Sequence, residues 1–243
     1  MTAKDDGQRR VLELLWKDAR RPARGPRRGL TTERIVAAAI QVAETEGLAA
    51  LSMRRVAVEL GVGTASLYTY LPGKAELEAL MADAIGAEDP LPDDWPGDWR
   101  AKVEAWARTD HALYRKHPWV LDLVATVAAP PGPNLLRWMD SALRVLAGTG
   151  LTEAEKMAVV ESVDAYVRGQ ARLSLDTREP SPEEVRERDA LLGELVDFEP
   201  YPALVATVRA GVSPYTGDKF EFGLRLLLDG VEALIAARRA STP

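Results

Sequence analysis

The sequence contains no cysteine. Disulfides, thiolate nucleophiles and cysteine-ligated zinc are excluded, and a reducing, cytoplasmic setting is the expected one. Histidine is scarce: His111 and His117 are the only two, and Pro118 breaks the helix that would have to stack them. No metal site and no cofactor are expected. No apolar run approaches the roughly 20 residues that span a bilayer, so no membrane association is expected. The amino-terminal stretch "MTAKDDGQRRVLELLWKDAR" has a short apolar patch interrupted by charges, unlike a signal peptide. Strand-period alternation is missing over any useful length. So are a phosphate-cradling glycine loop, a nucleophile elbow and a catalytic dyad, which leaves nothing to argue for an enzyme.

What is present starts with charge. The net charge of −6 hides an asymmetry. Residues 1–74 carry 13 Lys and Arg against 8 Asp and Glu, a net +5, and residues 75–243 carry 18 against 29, a net −11. Chance clustering on a charged surface would give this, and so would an anion-binding head on a body that phosphates repel. Within the head, "RRPARGPRRG" sets Arg20, Arg21, Arg24, Arg27 and Arg28 among prolines and glycines that forbid a regular helix. It is either a solvated linker or an extended basic arm able to reach a minor groove or a phosphate.

Helical periodicity dominates the rest. Residues 8–19 form a short amphipathic stretch. Thr31 or Thr32 caps a helix to Glu46, with Ile35, Val36, Ala39, Ile40 and Ala43 as its apolar stripe and Gly47 as its stop. Ser52 caps a second helix ended by Gly61, Thr64 to Tyr70 form a third, and a fourth starts at Lys74. The acidic, proline-rich "AEDPLPDDWPGD" is a break. Every segment beyond it reads as helix, with capping boxes at Thr152/Glu155 and Ser181/Glu184. The expected architecture is all-α: an extension over 1–29, a helix-turn-helix domain over 30–86, and a larger helical domain over 87–243 that handles effector and dimerisation.

The corner at Val56–Tyr70 meets the needs of a helix-turn-helix. Ala57 is small where two helices touch, Gly61 tolerates a left-handed turn, Val62 tucks inward, and Leu67 anchors the second helix. With Ile35, Ala38, Ala39, Gly47, "SMRRVAVELGV", "SLYTY" and "GKAEL", residues 31–77 resemble the DNA-binding domain of the TetR family of bacterial transcriptional repressors. Gly63 stands where that family commonly has serine, and Tyr70 where it commonly has histidine. Further on, "DWRAKVEAWARTDHALYRKHPWV", "GPNLLRWMDSALRVLAGTGLT" and "VDAYVRGQARL" resemble the tetracycline-repressor-type regulatory domain.

The resemblance implies a homodimer, a double-stranded, palindromic DNA operator, and a small lipophilic effector that changes the spacing of two heads. It implies backbone contacts from Thr31, Thr32, Arg54, Tyr70 and Lys74, with Arg27 and Arg28 of the arm added as cations. Base reading then falls to Gly63, Thr64, Ala65, Ser66, Tyr68 and Thr69, although Tyr68 could equally pack on the first helix. Hydroxyls and methyls suit several base edges, but no arginine supplies a bidentate fork to guanine. Discrimination per head is expected to be modest, with half-sites about 34–36 Å or a multiple apart.

Five of the six tryptophans lie between Trp95 and Trp138, which suits an apolar ligand pocket or an ordinary core. Trp106, Asp110, His111, Tyr114, Trp138, Asp164 and Arg168 are the ligand-binding candidates. Asp164 and Arg168, four apart, could also be a plain helix ion pair. The long helix from Thr152 and the last helix have broad apolar faces. By likeness they form a four-helix dimer interface, with Tyr166, Gly169, Leu173, Leu228 and Glu232 as its candidates. A helix-turn-helix regulator without an effector, and an all-helical enzyme of unrecognised type, are the alternatives.

Overall fold

The computed structural model describes residues 3–17, 29–87, 90–126, 131–176, 181–210 and 219–241. Every regular element among them is helical. The head comprises α1 (Ala3–Lys17), α2 (Thr32–Glu46), α3 (Met53–Leu60), α4 (Thr64–Tyr68) and α5 (Lys74–Ile85). The body comprises α6 (Trp99–Lys116), α7 (Trp119–Thr126), α8 (Pro133–Val145), α9 (Glu153–Asp176), α10 (Pro182–Leu195), α11 (Pro202–Arg209) and α12 (Lys219–Ser241). No described helix is long and apolar enough to cross a membrane.

Local chemistry sets most boundaries. The Thr31 hydroxyl accepts the Arg34 N–H at 3.2 Å to open α2, and the Ser52 hydroxyl accepts the Arg55 N–H at 3.1 Å to open α3. Asp98 caps α6 through the Ala101 N–H at 2.9 Å. Both expected capping boxes form: Thr152 with Glu155 before α9, and Ser181 with Glu184 before α10. Gly61 ends α3 at φ 67°, ψ 31°, a left-handed conformation that a Cβ would disfavour. One detail differs from expectation. The third helix stops at Tyr68, two residues early, because Tyr70 and Leu71 turn back to donate to the Leu67 carbonyl at 2.9 and 3.0 Å. The segment after the Ser181/Glu184 box holds two helices, α10 and the short α11.

The head closes around Ile35, Val42, Val56, Leu67, Leu71, Leu77 and Met81, all fully buried. Leu67, the anchor of the two-turn corner, is 0% exposed. Its truncation to alanine would cost about 2–5 kcal/mol. Head and body share one continuous core, because α5 packs on α2 on one side and on α7 and α8 on the other. The amino-terminal α1 docks on its own head: Val11 and Leu15 close over Ala79 and Leu80 of α5. In the body, α6 is the central helix, flanked by α8 and α9, and α12 packs on α9.

Candidate nucleic-acid interface and regulatory domain

The outer surface of the corner is a band of hydroxyls. Ala65, Ser66, Tyr68, Thr69 and Tyr70 are exposed, and Gly63 with them, while Thr64 is half-buried. Tyr68 keeps 53% of its surface. The Thr69 hydroxyl donates to the Ser66 carbonyl at 2.7 Å, which orients it and leaves its lone pairs outward. Thr31 uses its hydroxyl as a cap, and Thr32 lies half-buried in the first turn of α2. Arg27 and Arg28 lie outside the described residues.

Two adjacent arginines have different fates. Arg55 is held between Glu46 and Glu59, each at 2.8 Å, which raises its pKa and lowers that of Glu46. It clamps the end of α2 to α3. Arg54, one position earlier and about 100° round the helix, is exposed and makes no ion pair among the described residues. Lys74 leans toward Glu78 at 3.4 Å, an exposed i,i+4 pair of small energetic weight. Arg34, not singled out from the sequence, donates to the Gly29 carbonyl at 2.5 Å, which ties the chain down where the arm enters the head. Only folded contacts distinguish these cations, so spacing alone could not have done so.

Among the described residues, side-chain hydrogen bonds latch head to body at two places. The Glu44 carboxylate on α2 meets His117 Nδ1 at 2.5 Å and accepts the Trp119 indole N–H at 2.8 Å. On α5, Asp83 reaches the amino-terminal end of α8. Burial pushes the Asp83 pKa up, while the N–H groups of Leu135 and Asn134 pull it down by less. Neither Glu44 nor Asp83 carries a sequence signal, since their partners lie 73 and 51 residues away.

In the body, the ligand-binding candidates gather on facing helices. Trp106 and Trp138 meet edge to face, with centroids 5.0 Å apart at 76°. The Trp106 indole N–H donates to Asp110 at 2.5 Å. Arg168 pairs with Asp164 on α9, so the plain i,i+4 pair exists; burial nonetheless raises the Asp164 pKa more than Arg168 lowers it. Tyr114 is buried, and its pKa is raised by desolvation and then by Asp164 and Asp110. His111 turns the other way and stacks on Phe220 of α12, with centroids 4.0 Å apart. No three His, Asp or Glu side chains gather as a metal site among the described residues.

The dimer candidates divide. Leu173 is 59% exposed, and a Cβ on Gly169 would meet nothing within 4 Å. Both lie on the open side of α9, where no described helix of the protomer comes close to Gly169. Leu228, by contrast, is 0% exposed and faces its own core, so it has no surface left for a partner. On α12 the outward positions are Phe222 and Leu226, each 56% exposed. Tyr166 spends its hydroxyl inside the protomer on the carbonyls of Lys219 and Phe220, and Glu232 accepts from Arg100 at 2.9 Å.

Comparison with known proteins fits this geometry. Residues 35–79 match the family of bacterial regulatory proteins, tetR family, and residues 91–235 match the tetracyclin repressor-like, C-terminal domain. The chain belongs to the TetR family. The HTH-type transcriptional repressor DrrR1 of Streptomyces coeruleorubidus is 42% identical over 96% of this chain and 88% of its own. An HTH-type transcriptional regulator of Saccharopolyspora erythraea is 30% identical over 84% of this chain and 85% of its own. Among solved structures, Streptomyces coelicolor ActR in complex with actinorhodin superposes with a TM-score of 0.72 at 29% identity, covering 85% of this chain and 97% of that one. This TetR-family chain is thus a transcriptional repressor by kinship, and its relatives are regulators rather than enzymes.

Proposed function

We propose that the protein is a ligand-responsive repressor that binds a palindromic operator as a homodimer and leaves it when a small lipophilic effector enters the body. The head spans 30–86 and the body 87–243. Thr31, Thr32, Arg54, Tyr70 and Lys74, with Arg27 and Arg28 of the arm, hold the phosphate backbone. Gly63, Thr64, Ala65, Ser66, Tyr68 and Thr69 face the bases. The observation that carries this reading is the uncharged hydroxyl band on α4, flanked by the exposed Arg54 and by Lys74. Charge at the margins attracts the duplex, and hydroxyls and methyls discriminate within it.

Release follows from population shift. An effector that binds better when the heads are splayed moves the equilibrium away from the DNA-competent state, and only that differential affinity drives it. The Glu44 and Asp83 latches supply the mechanical link, because both tie head helices to helices that border the ligand-binding candidates. The open face of α9 and α12, with Gly169, Leu173 and Leu226, receives the second copy. ActR supports the effector reading, since it is seen in complex with actinorhodin.

The test is selection of bound fragments from random DNA, followed by gel shift on the protein's own promoter region with a compound panel. A specific shift at moderate salt that a compound reverses is the expected result. Absence of any specific shift would remove the operator reading. A specific shift that no compound alters would leave a helix-turn-helix regulator whose body serves dimerisation only.

A further inference from the structure

Arg34 stands at the third position of α2, after the Thr31 cap. Side chains on a helix tilt toward its amino-terminal end, so this guanidinium swings back along the chain that enters the head. There its Nη1 donates to the Gly29 carbonyl at 2.5 Å, while the Arg34 backbone N–H donates to the Thr31 hydroxyl at 3.2 Å. Gly29 has φ 151°, in the region that favours glycine, and a Cβ there would meet nothing within 4 Å. Backbone conformation, not lack of space, therefore calls for glycine at the residue that holds Arg34.

A carbonyl orients a guanidinium without cancelling its charge. Arg55 shows the opposite case, since Glu46 and Glu59 both pair with it. Along α2 no carboxylate faces Arg34, because the residues three and four positions on are Ala37 and Ala38. Arg34 is exposed and makes no ion pair among the described residues, and its Nε–Nη2 edge is left unbonded. Nor does the cation serve helix stability. A positive charge in the first turn opposes the helix dipole, which Glu33 beside it complements. The guanidinium is thus held in place, uncompensated and set against the dipole. It shares its turn with Thr31 and Thr32, assigned above to the phosphate backbone.

We propose that Arg34 grips one backbone phosphate of the bound duplex in each half-site. The Gly29 carbonyl fixes one end of the guanidinium, and the Nε–Nη2 edge closes on two phosphate oxygens as a bidentate fork. Because the carbonyl holds the fork before DNA arrives, less side-chain freedom is lost on binding. The inference rests on the operator reading above and adds a residue to it. Arg34 thereby differs from Lys74, which offers a point charge, and from Arg55, whose charge is spent inside the head.

The test uses the full-length protein and two duplexes of equal length, one recovered by selection from random DNA and one of mixed sequence. Fluorescence anisotropy across a salt series gives affinity and salt slope. Arg34→Met should bind about tenfold more weakly, as expected for a lost charge-assisted fork, and flatten the plot of log affinity against log salt by about 0.9. Arg34→Lys should keep the wild-type slope yet bind about threefold more weakly, because an ammonium keeps the charge and lacks the planar fork. Gly29→Ala should weaken the wild type about threefold and Arg34→Met hardly at all, since both changes break one bond. Ethylation interference should mark one phosphate per half-site that matters to the wild type and not to Arg34→Met. Thermal melts confirm that each variant folds. An unchanged slope in Arg34→Met, an Arg34→Lys variant that binds as the wild type does, or equal Gly29→Ala losses in both backgrounds would overturn the inference. The operator reading is scored separately, by whether the wild type prefers the selected duplex. A phosphate contact carries no sequence information, so the slopes on the mixed-sequence duplex score Arg34 even if that preference is missing.

Discussion

Asp83 of the head and Asn134 of the body are joined by three hydrogen bonds. The Asn134 backbone N–H donates to Asp83 Oδ1 at 3.0 Å, and its side-chain amide donates to Oδ2 at 3.0 Å and to the Asp83 carbonyl at 3.1 Å. The Leu135 N–H adds a fourth bond to the same carboxylate at 3.1 Å. α8 has no cap of its own, since Gly132 stands at its N-cap and offers no side chain. A Cβ there would fall 2.2 Å from the Asp83 carboxylate, so the glycine admits a cap delivered from the other half of the molecule.

Asp83→Ala is therefore expected to lower stability by about 1–2 kcal/mol, the usual cost of a lost helix cap. Urea denaturation measures it. Asn134→Ala combined with Asp83→Ala should cost less than the sum of the two, because they remove the same bonds. Strict additivity would mean that the two residues act separately.

Glu44→Ala removes the acceptor shared by His117 and Trp119. Head and body then communicate mainly through Asp83. Operator affinity without effector should stay within about threefold, while the ratio of affinities with and without effector shrinks. Gel-shift titrations with and without a releasing compound give both numbers. An unchanged ratio would take Glu44 out of the coupling path.

Arg54→Ala and Arg55→Ala should behave differently despite their adjacency. Arg54→Ala should flatten the plot of log affinity against log salt by about 0.9. Arg55→Ala leaves Glu46 and Glu59 without their cation, so it should lower the melting temperature and leave the salt slope alone. Lys74→Ala should resemble Arg54→Ala. Fluorescence anisotropy across a salt series and a thermal melt separate the two classes.

Acid should loosen the body along a defined limb. Arg144 and Ser141 hold Asp93 at about 2 against an ordinary 3.8, and Arg238 with Thr152 holds Glu155 at about 2 against an ordinary 4.5. Both folded values are depressed, so the associated stability is present above the ordinary values and is lost as pH falls toward 2. Asp83 and Asp164 are shifted upward and act in the opposite sense, losing stability as pH rises through their folded values. Urea midpoints between pH 6 and pH 2.5 should fall in the wild type and fall less steeply in Arg238→Met.

Gly223 admits the ring of Tyr166. A Cβ at that position would lie 2.3 Å from the Tyr166 hydroxyl oxygen and 2.8 Å from Cζ. Gly223→Ala should destabilise by about 1–3 kcal/mol, the range for overpacking. Tyr166→Ala in the same chain should recover part of that loss in thermal melts, because the clash goes with the ring. A loss unchanged in the double variant would place its cause in the helix backbone.

The sequence by itself determined the helical class, most helix boundaries and the corner that reads as a helix-turn-helix. These features are local: a cap hydroxyl bonds an N–H three residues away, and a left-handed turn needs its glycine wherever the chain goes next. Local signals also placed Trp106, Asp110 and Tyr114 on one face of a helix and Asp164 four residues before Arg168. They could not decide which of two neighbouring arginines is spent internally, since Glu46 reaches Arg55 only once α2 and α3 have packed. Nor could they show that Leu228 points inward and Leu226 outward, because a broad apolar stripe has no marked edge until a neighbouring helix covers one side. The latches at Glu44 and Asp83 belong wholly to the tertiary structure. Each joins groups that are distant along the chain, and the fold brings them within hydrogen-bond reach by packing α2 and α5 against the body.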